Sequence, residues 1–265
     1  MCTTCGCSDA ARSTEHAQPH EHAQPHDHPH EHGHSHEHDG GHPAEHRILR
    51  WERELVAKNA RLAERNRLHF ERTKTTVINV IGSPGAGKTA LLEATIGRLG
   101  AEIGGVLEGD QATRRDADRI ERAGARVVQI NTDAGCHLDA DMVDRGIEEL
   151  APVAGRLVFV ENVGNLVCPA LFDLGEHAKI VVLSVTEGDD KPLKYPHVFR
   201  VARLLVLSKV DLLPHVNFDT ERCIEYARRV NPALDVVRVS PVRGDGLPQW
   251  CDYVRQWTKE ARVWT

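Results

Sequence analysis

Eight consecutive residues, Gly82-Ser83-Pro84-Gly85-Ala86-Gly87-Lys88-Thr89, fit the spacing G-x-x-x-x-G-K-[ST]. Their types say what such a loop does. Glycines let backbone N–H groups curl around phosphate oxygens, and a following helix N-terminus adds positive potential. Lys88 is placed to reach β- and γ-phosphates, the Thr89 hydroxyl to ligate Mg²⁺, and Ala90 continues the loop into the helix. The flanks agree: "VINVI" before the loop reads as a strand and "TALLEAT" after it as a helix, the context the motif requires.

A second stretch, "LLVLSKVDLL", selects the base. Strand-Lys209-x-Asp211 is similar to the N-K-x-D element of GTPases, in which the carboxylate accepts from guanine N1–H and the exocyclic amine. Adenine offers no such donor pair, and an unpaired buried carboxylate costs about 1–3 kcal/mol. The Lys209 stem covers the ring face. Ser208 stands where that element has Asn, removing an amide that braces neighbouring loops. Ser240, in "VSPVRGDG", is expected to supply the companion loop on the guanine side. Two carboxylates remain for the phosphate end. Asp110 closes "LEGD", where it would ligate Mg²⁺ or orient water, and Glu161 closes "VFVE" as a Walker-B-like strand end running toward Gly164.

Softer chemistry sits nearby. "NTDAGCHLDADM" places Cys136 and His137 side by side, and Cys168 follows Glu161 by seven residues. Two thiolates and an imidazole suit zinc or nickel. If Cys168 rides on a switch segment, γ-phosphate contacts would move a metal ligand. Cys223 and Cys251 fall in helical patterns and read as packing. A third group opens the chain: Cys2, Cys5 and Cys7. Removal of Met1 would add an α-amine, giving four N/S donors that nickel(II) accepts in a plane and zinc in a tetrahedron. The donor set alone leaves the two metals tied.

The elements that must carry these residues follow from texture. Residues 16–46 hold 12 of the 17 histidines among Glu, Asp, Pro and Gly, with almost no aliphatic side chain to bury. Disorder and multi-site metal holding are expected there. Residues 1–46 carry a charge of −7 out of the chain's −6, which leaves +1 for the remainder. That near-neutral body has no basic stripe, so nucleic acid is not an expected partner. Ile48, Trp51, Leu55 and Leu62 recur at helical spacing, an amphipathic helix over 44–72 whose role the sequence does not decide. Beyond it, "IGGVLEG", "RVVQI", "RLVFVEN", "KIVVLSV", "RLLVLSK" and "DVVRVS" alternate with helical runs. The expected fold is α/β: a P-loop NTPase over 73–265, its mostly parallel β-sheet flanked by helices, preceded by the tail at 1–43 and the helix. Ligands in such sheets lie beyond the carboxyl ends of the strands, where the residues named above fall. Seven cysteines in 265 residues are too few for a disulfide scaffold. No secretory n- and h-region opens the sequence and no run of about 18 apolar residues spans a bilayer, so a reducing cytoplasmic setting away from the membrane is expected.

Taken together, the C-x-x-C-G-C start, the His-rich tail, "GSPGAGKT", "GCHLDADMV", "ENVGNLVCPALFDLGE", "TEGDDKPLKYPHVF" and "KVDLLPHVNFD" resemble the hydrogenase nickel-incorporation GTPases, the HypB family. The resemblance implies a GTPase of the signal-recognition/MinD branch that binds GTP/GDP and Mg²⁺ and delivers Ni²⁺ to a [NiFe]-hydrogenase large subunit. It further implies a GTP-favoured homodimer with Cys136, His137 and Cys168 at the interface, holding nickel or zinc, and a HypA-type nickel chaperone as partner. It favours nickel at the amino-terminal thiols. Slow intrinsic hydrolysis is expected, because no arginine finger can be picked out. A urease-type nickel accessory GTPase, a nickel storage protein and an ATP-dependent kinase or ligase are the competing readings.

Overall fold

The computed structural model describes residues 43–110, 114–132 and 135–263. Cys2, Cys5, Cys7 and the histidines up to His42 lie outside them. In chain order the first half runs α1 (Pro43–Thr73), β1 (Thr76–Ile81), α2 (Lys88–Leu99), β2 (Ile103–Asp110), α3 (Arg115–Arg122), β3 (Val127–Asn131), α4 (Ala140–Leu150) and β4 (Leu157–Glu161). The second half runs α5 (Cys168–Leu171), β5 (Ala178–Ser184), α6 (Lys191–Lys194), α7 (Pro196–Val201), β6 (Leu204–Ser208), α8 (Thr220–Val230), β7 (Asp235–Val239) and α9 (Leu247–Val263). The chain divides at Arg53/Glu54, and Glu54–Thr265 is the unit that carries the sheet.

Seven strands form one sheet in the order β3-β2-β4-β1-β5-β6-β7, every pair parallel. The sequence pattern explains why. β1, β4 and β6 are predominantly apolar and buried at every position, as strands covered by helices on both faces must be. One face packs Ile78, Val80, Phe159 and Val206 against α2 and α9, with Trp250 at the centre. Trp250 is wholly buried, and its indole N–H donates to Thr95 Oγ1 at 2.8 Å, so its polar atom is satisfied. The opposite face is split between a cluster under α7 and α8 and another under α4.

The later half of α1 docks on the sheet unit, which resolves a question the amphipathic pattern left open. Ala63, Asn66 and Phe70 are buried. Asn59 and Asn66, seven residues apart on one helix face, bind the start of α4 and the loop after α5. Asn59 Nδ2 donates to the Asp173 carbonyl at 2.7 Å while its Oδ1 accepts from Ala140 N at 2.9 Å. Asn66 Nδ2 donates to the carbonyls of Ala140 and Leu174 at 2.8 and 3.1 Å. Approach is close: a Cβ on Gly175, whose φ is +84°, would lie 2.5 Å from the Ala63 carbonyl oxygen.

Candidate nucleotide and metal site

The carboxyl ends of the strands place β1's loop, Asp110, Glu161, Ser208 and Ser240 along one edge, as the parallel topology dictates. Gly82 follows the central strand at a point where no side chain fits, since a Cβ there would lie 2.6 Å from the Val182 carbonyl oxygen. Gly87 caps α2 with φ of 98°, a left-handed conformation that turns the loop's amides inward. Lys88 is buried and its Nζ donates to the Gly82 and Ser83 carbonyls at 3.3 and 3.5 Å. Burial lowers its pKa, opposed by the carboxylates of Glu161, Asp116, Glu108 and Glu187.

Thr89 Oγ1 donates to Glu161 Oε1 at 2.8 Å. Glu161 is 4% exposed and its Oε2 has no hydrogen-bond partner. Beside it, in register on the neighbouring strand, stands Glu108, 2% exposed and likewise with an unpartnered Oε2. Burial pushes the Glu108 carboxyl up to about 8, with the charges of Glu161 and Asp110 adding to the effect, and pushes Glu161 up to about 7. Two orphaned carboxylate oxygens beside a threonine hydroxyl suit a hard divalent cation, so the residues present fit Mg²⁺. Asp110 ends β2 two positions beyond Glu108 and therefore on the same face of the strand.

On the base side, Lys209 has φ of 58°, and its Nζ donates to the Gly85 carbonyl at 2.7 Å. Asp211 follows in a short 3-10 helix. Ser208 Oγ donates to the Ala86 carbonyl at 2.5 Å, so a hydroxyl supplies the brace on the phosphate loop that an amide would otherwise give. Ser240 Oγ accepts from Arg243 N at 3.2 Å, which closes the turn after β7.

Cys136, His137 and Cys168 converge, with ligand atoms within 4.8 Å of one another. The two Sγ atoms are 2.8 Å apart and Cys136 Sγ is 3.6 Å from His137 Nδ1. The imidazole lies on the Phe172 ring at a centroid distance of 3.8 Å, and burial lowers its pKa against the pull of Asp139. A neutral imidazole keeps a lone pair for a metal. Cys223 and Cys251 are buried away from this cluster, and burial pushes the Cys223 thiol up to about 12.

Four residues escaped the sequence reading. Glu108 carried a signal, the period of two from Asp110 in "LEGD". Lys191, whose Nζ donates to Ser83 Oγ at 3.5 Å, and the asparagines Asn162 and Asn165 had none, because their roles depend on loops meeting across the sheet edge.

This parallel sheet with its glycine loop, buried lysine and Thr–Glu pair defines a P-loop nucleotide-binding protein. The family model for the CobW/HypB/UreG nucleotide-binding domain matches residues 76–238. Hydrogenase maturation factor HypB of Azotobacter vinelandii is 52% identical over 214 residues, spanning 80% of this chain and 71% of that protein. The chain belongs to the HypB family of hydrogenase maturation factors. Two solved structures agree. HypB from Archaeoglobus fulgidus, 40% identical, has a TM-score of 0.71 over 76% of this chain and 99% of that one. HypB from Helicobacter pylori in complex with nickel, 34% identical, has a TM-score of 0.73 over 77% and 96%. No helix among the described residues is long and apolar enough to cross a membrane.

Proposed function

We propose that the chain is a cytoplasmic GTP hydrolase that holds nickel and hands it to a [NiFe]-hydrogenase large subunit during maturation. One observation carries this reading. The segment that begins at Glu161, hydrogen-bonded to the P-loop Thr89, ends at Cys168, one of three soft ligands drawn together at the same sheet edge. A nucleotide site and a transition-metal site thus share an eight-residue stretch of chain.

In this reading the loop amides from Gly82 to Ala90 cradle the phosphates. Lys88 turns from its loop carbonyls to the β- and γ-oxygens. Thr89, Glu161 and Asp110 hold Mg²⁺, which when bound neutralises charge developing on the transferred phosphoryl group. Asp211 takes the guanine donors, the Lys209 stem covers the ring and the Ser240 turn flanks it. Among the described residues the cations hydrogen-bonded to the loop are lysines, namely Lys88, Lys191 and Lys209. No arginine is among them, so slow intrinsic turnover is expected.

Cys136, His137 and Cys168 take nickel as cargo, zinc being the competing occupant. Cys2, Cys5, Cys7 and the tail histidines hold further nickel, a GTP-favoured homodimer brings two clusters together, and a HypA-type chaperone is the exchange partner. The test is nickel and zinc titration in the presence of GDP and then of a non-hydrolysable GTP analogue, with Cys136→Ala and Cys168→Ala alongside. Nucleotide-dependent affinity that collapses in both variants supports the reading. Weak binding that is identical in both nucleotide states overturns it. Equal turnover of GTP and ATP would overturn the assignment of Asp211.

A further inference from the structure

Between the two sites runs a segment that touches both, and its asparagines divide the work. Asn162, 1% exposed, is fixed to the sheet. Its backbone N–H donates to the Val80 carbonyl at 3.0 Å, and its Nδ2 donates to Asn79 Oδ1 at 3.3 Å. Its Oδ1 accepts from Leu138 N at 3.2 Å, pinning the residue after His137 to the central strands. Asn162 is therefore an anchor.

Asn165 is placed differently. Its backbone forms an antiparallel bridge with Gly82, the first residue of the phosphate loop. Its side chain reaches both thiol-bearing loops. Oδ1 accepts from Val167 N at 2.8 Å, one residue before Cys168, and Nδ2 donates to the Cys136 carbonyl at 3.4 Å. The residue before it leaves no slack, since a Cβ on Gly164 would lie 2.9 Å from Pro84 Cγ and 3.0 Å from Pro84 N. A shift of the loop carbonyls, such as Lys88 leaving Gly82 for a phosphate, has a direct route to Asn165. From there it reaches the backbone on either side of the 2.8 Å Sγ–Sγ contact.

We propose that Asn165 is the positioning residue through which the phosphate loop sets the geometry of the Cys136–His137–Cys168 cluster. The physical warrant is one residue that ties its own Cys168-bearing segment to two other loops, the phosphate loop at Gly82 and the Cys136 loop, against a packed surface that permits few arrangements. Asn165 supplies none of the ligand atoms of the Cys136–His137–Cys168 cluster and lies outside the phosphate loop, so its removal leaves the ligands of both sites in place. What it changes is the dependence of one on the other. This inference rests on the nucleotide-gated reading above, and the experiment separates the two.

Coupling between sites is reciprocal, so it is read from either side. The full-length chain is used, and the affinity for a non-hydrolysable GTP analogue at saturating Mg²⁺ is measured with and without nickel. The same pair of measurements is made for GDP. The Cys136→Ala/Cys168→Ala double variant gives the contribution of nickel held elsewhere in the chain. In the parent protein nickel is expected to change the GTP-analogue-to-GDP preference by about 5-fold or more, the lower end of ordinary allosteric coupling. Asn165→Asp keeps the acceptor for Val167 N but cannot donate to the Cys136 carbonyl, and it preserves side-chain volume. Asn165→Ala removes both bonds.

Both variants are expected to bind GDP normally, which also reports folding, and to bind nickel with the parent stoichiometry. In both, the nickel-dependent change in preference falls to within about twofold of unity, against the 5-fold or larger value of the parent. Unchanged coupling in both variants overturns the role of Asn165 while leaving the gated reading intact. Absence of coupling in the parent protein overturns the gated reading itself.

Discussion

The Thr89 hydroxyl and the Glu161 carboxylate, 72 positions apart, meet in a 2.8 Å hydrogen bond beneath the phosphate loop. β1 and β4 are adjacent, with Val80 opposite Glu161, so the bond follows from strand order. Glu161→Gln keeps an acceptor for Thr89 and removes the charge. GTP hydrolysis is expected to fall roughly 10²-fold, as when one electrostatic contact to a transition state is deleted, with GDP affinity little changed. Single-turnover hydrolysis with parallel GDP titration decides; an unaltered rate would remove Glu161 from the machinery.

Gly82 has no room for a methyl group, because a Cβ would meet a backbone carbonyl rather than a yielding side chain. Gly82→Ala is therefore expected to cost about 1–3 kcal/mol. Thermal unfolding would read this as a drop of roughly 2–4 °C per kcal/mol. A variant as stable as the parent protein would show that β5 recedes easily.

Asp211→Asn exchanges an acceptor of two guanine N–H bonds for a group that offers one good acceptor. The expected loss in GTP affinity is about tenfold to a hundredfold, matching 1–3 kcal/mol for an unsatisfied buried pairing. Affinity for a nucleotide whose base presents an acceptor at that position should rise in relative terms. Fluorescent-nucleotide competition measures both, and equal losses for every base would place Asp211 outside base recognition.

The two buried carboxyls make a signed pH prediction. Glu108 and Glu161 titrate at about 8 and about 7 in the fold against an ordinary 4.5, chiefly through burial. Between those values the folded chain holds more protons than the unfolded one, so stability falls as pH rises. His177, whose pKa burial lowers, acts only below its ordinary 6.5 and in the opposite sense. Toward pH 9 the raised Cys223 thiol acts in the same sense and the lowered Lys88 in the opposite one, so the Glu108 contribution is read as the difference between the parent protein and Glu108→Gln. Without Mg²⁺ and nucleotide, urea midpoints should fall from pH 7 to 9, and Glu108→Gln should flatten that fall and exceed the parent protein at pH 9. Identical slopes would mean that Glu108 does not titrate in this range.

Much of this was legible because local chemistry and global topology coincide. The run from Val77 to Thr89 contains its own strand, turn and cap, and six further apolar runs read as strands, four of them almost wholly buried and the two at the sheet edges, β3 and β7, partly exposed. The positions of Asp110, Glu161 and Ser240 at the carboxyl ends of strands were legible because strand ends can be read directly. Convergence of Cys136 with Cys168 was suggested by ligand type and then brought about by loop geometry that no local pattern encodes. Asn165 is the opposite case. Asparagine between Gly164 and Leu166 reads as an ordinary turn residue, and only the approach of Gly82 to its backbone and of Cys136 to its side chain, both from other parts of the chain, makes it a junction. Docking of α1 was hidden for a similar reason, since Asn59 and Asn66 are polar and a hydrophobic stripe does not reveal them.

An all-parallel sheet also divides the molecule into two poles with different tolerance for alteration. Every turn that enters a strand, such as Gly100–Glu102 before β2, Ala151–Arg156 before β4 and Asn231–Leu234 before β7, lies at the pole opposite the phosphate loop. A fluorophore, an affinity handle or an inserted peptide at those turns sits a full strand length from either site. Such an attachment could report on assembly without competing with nucleotide or metal.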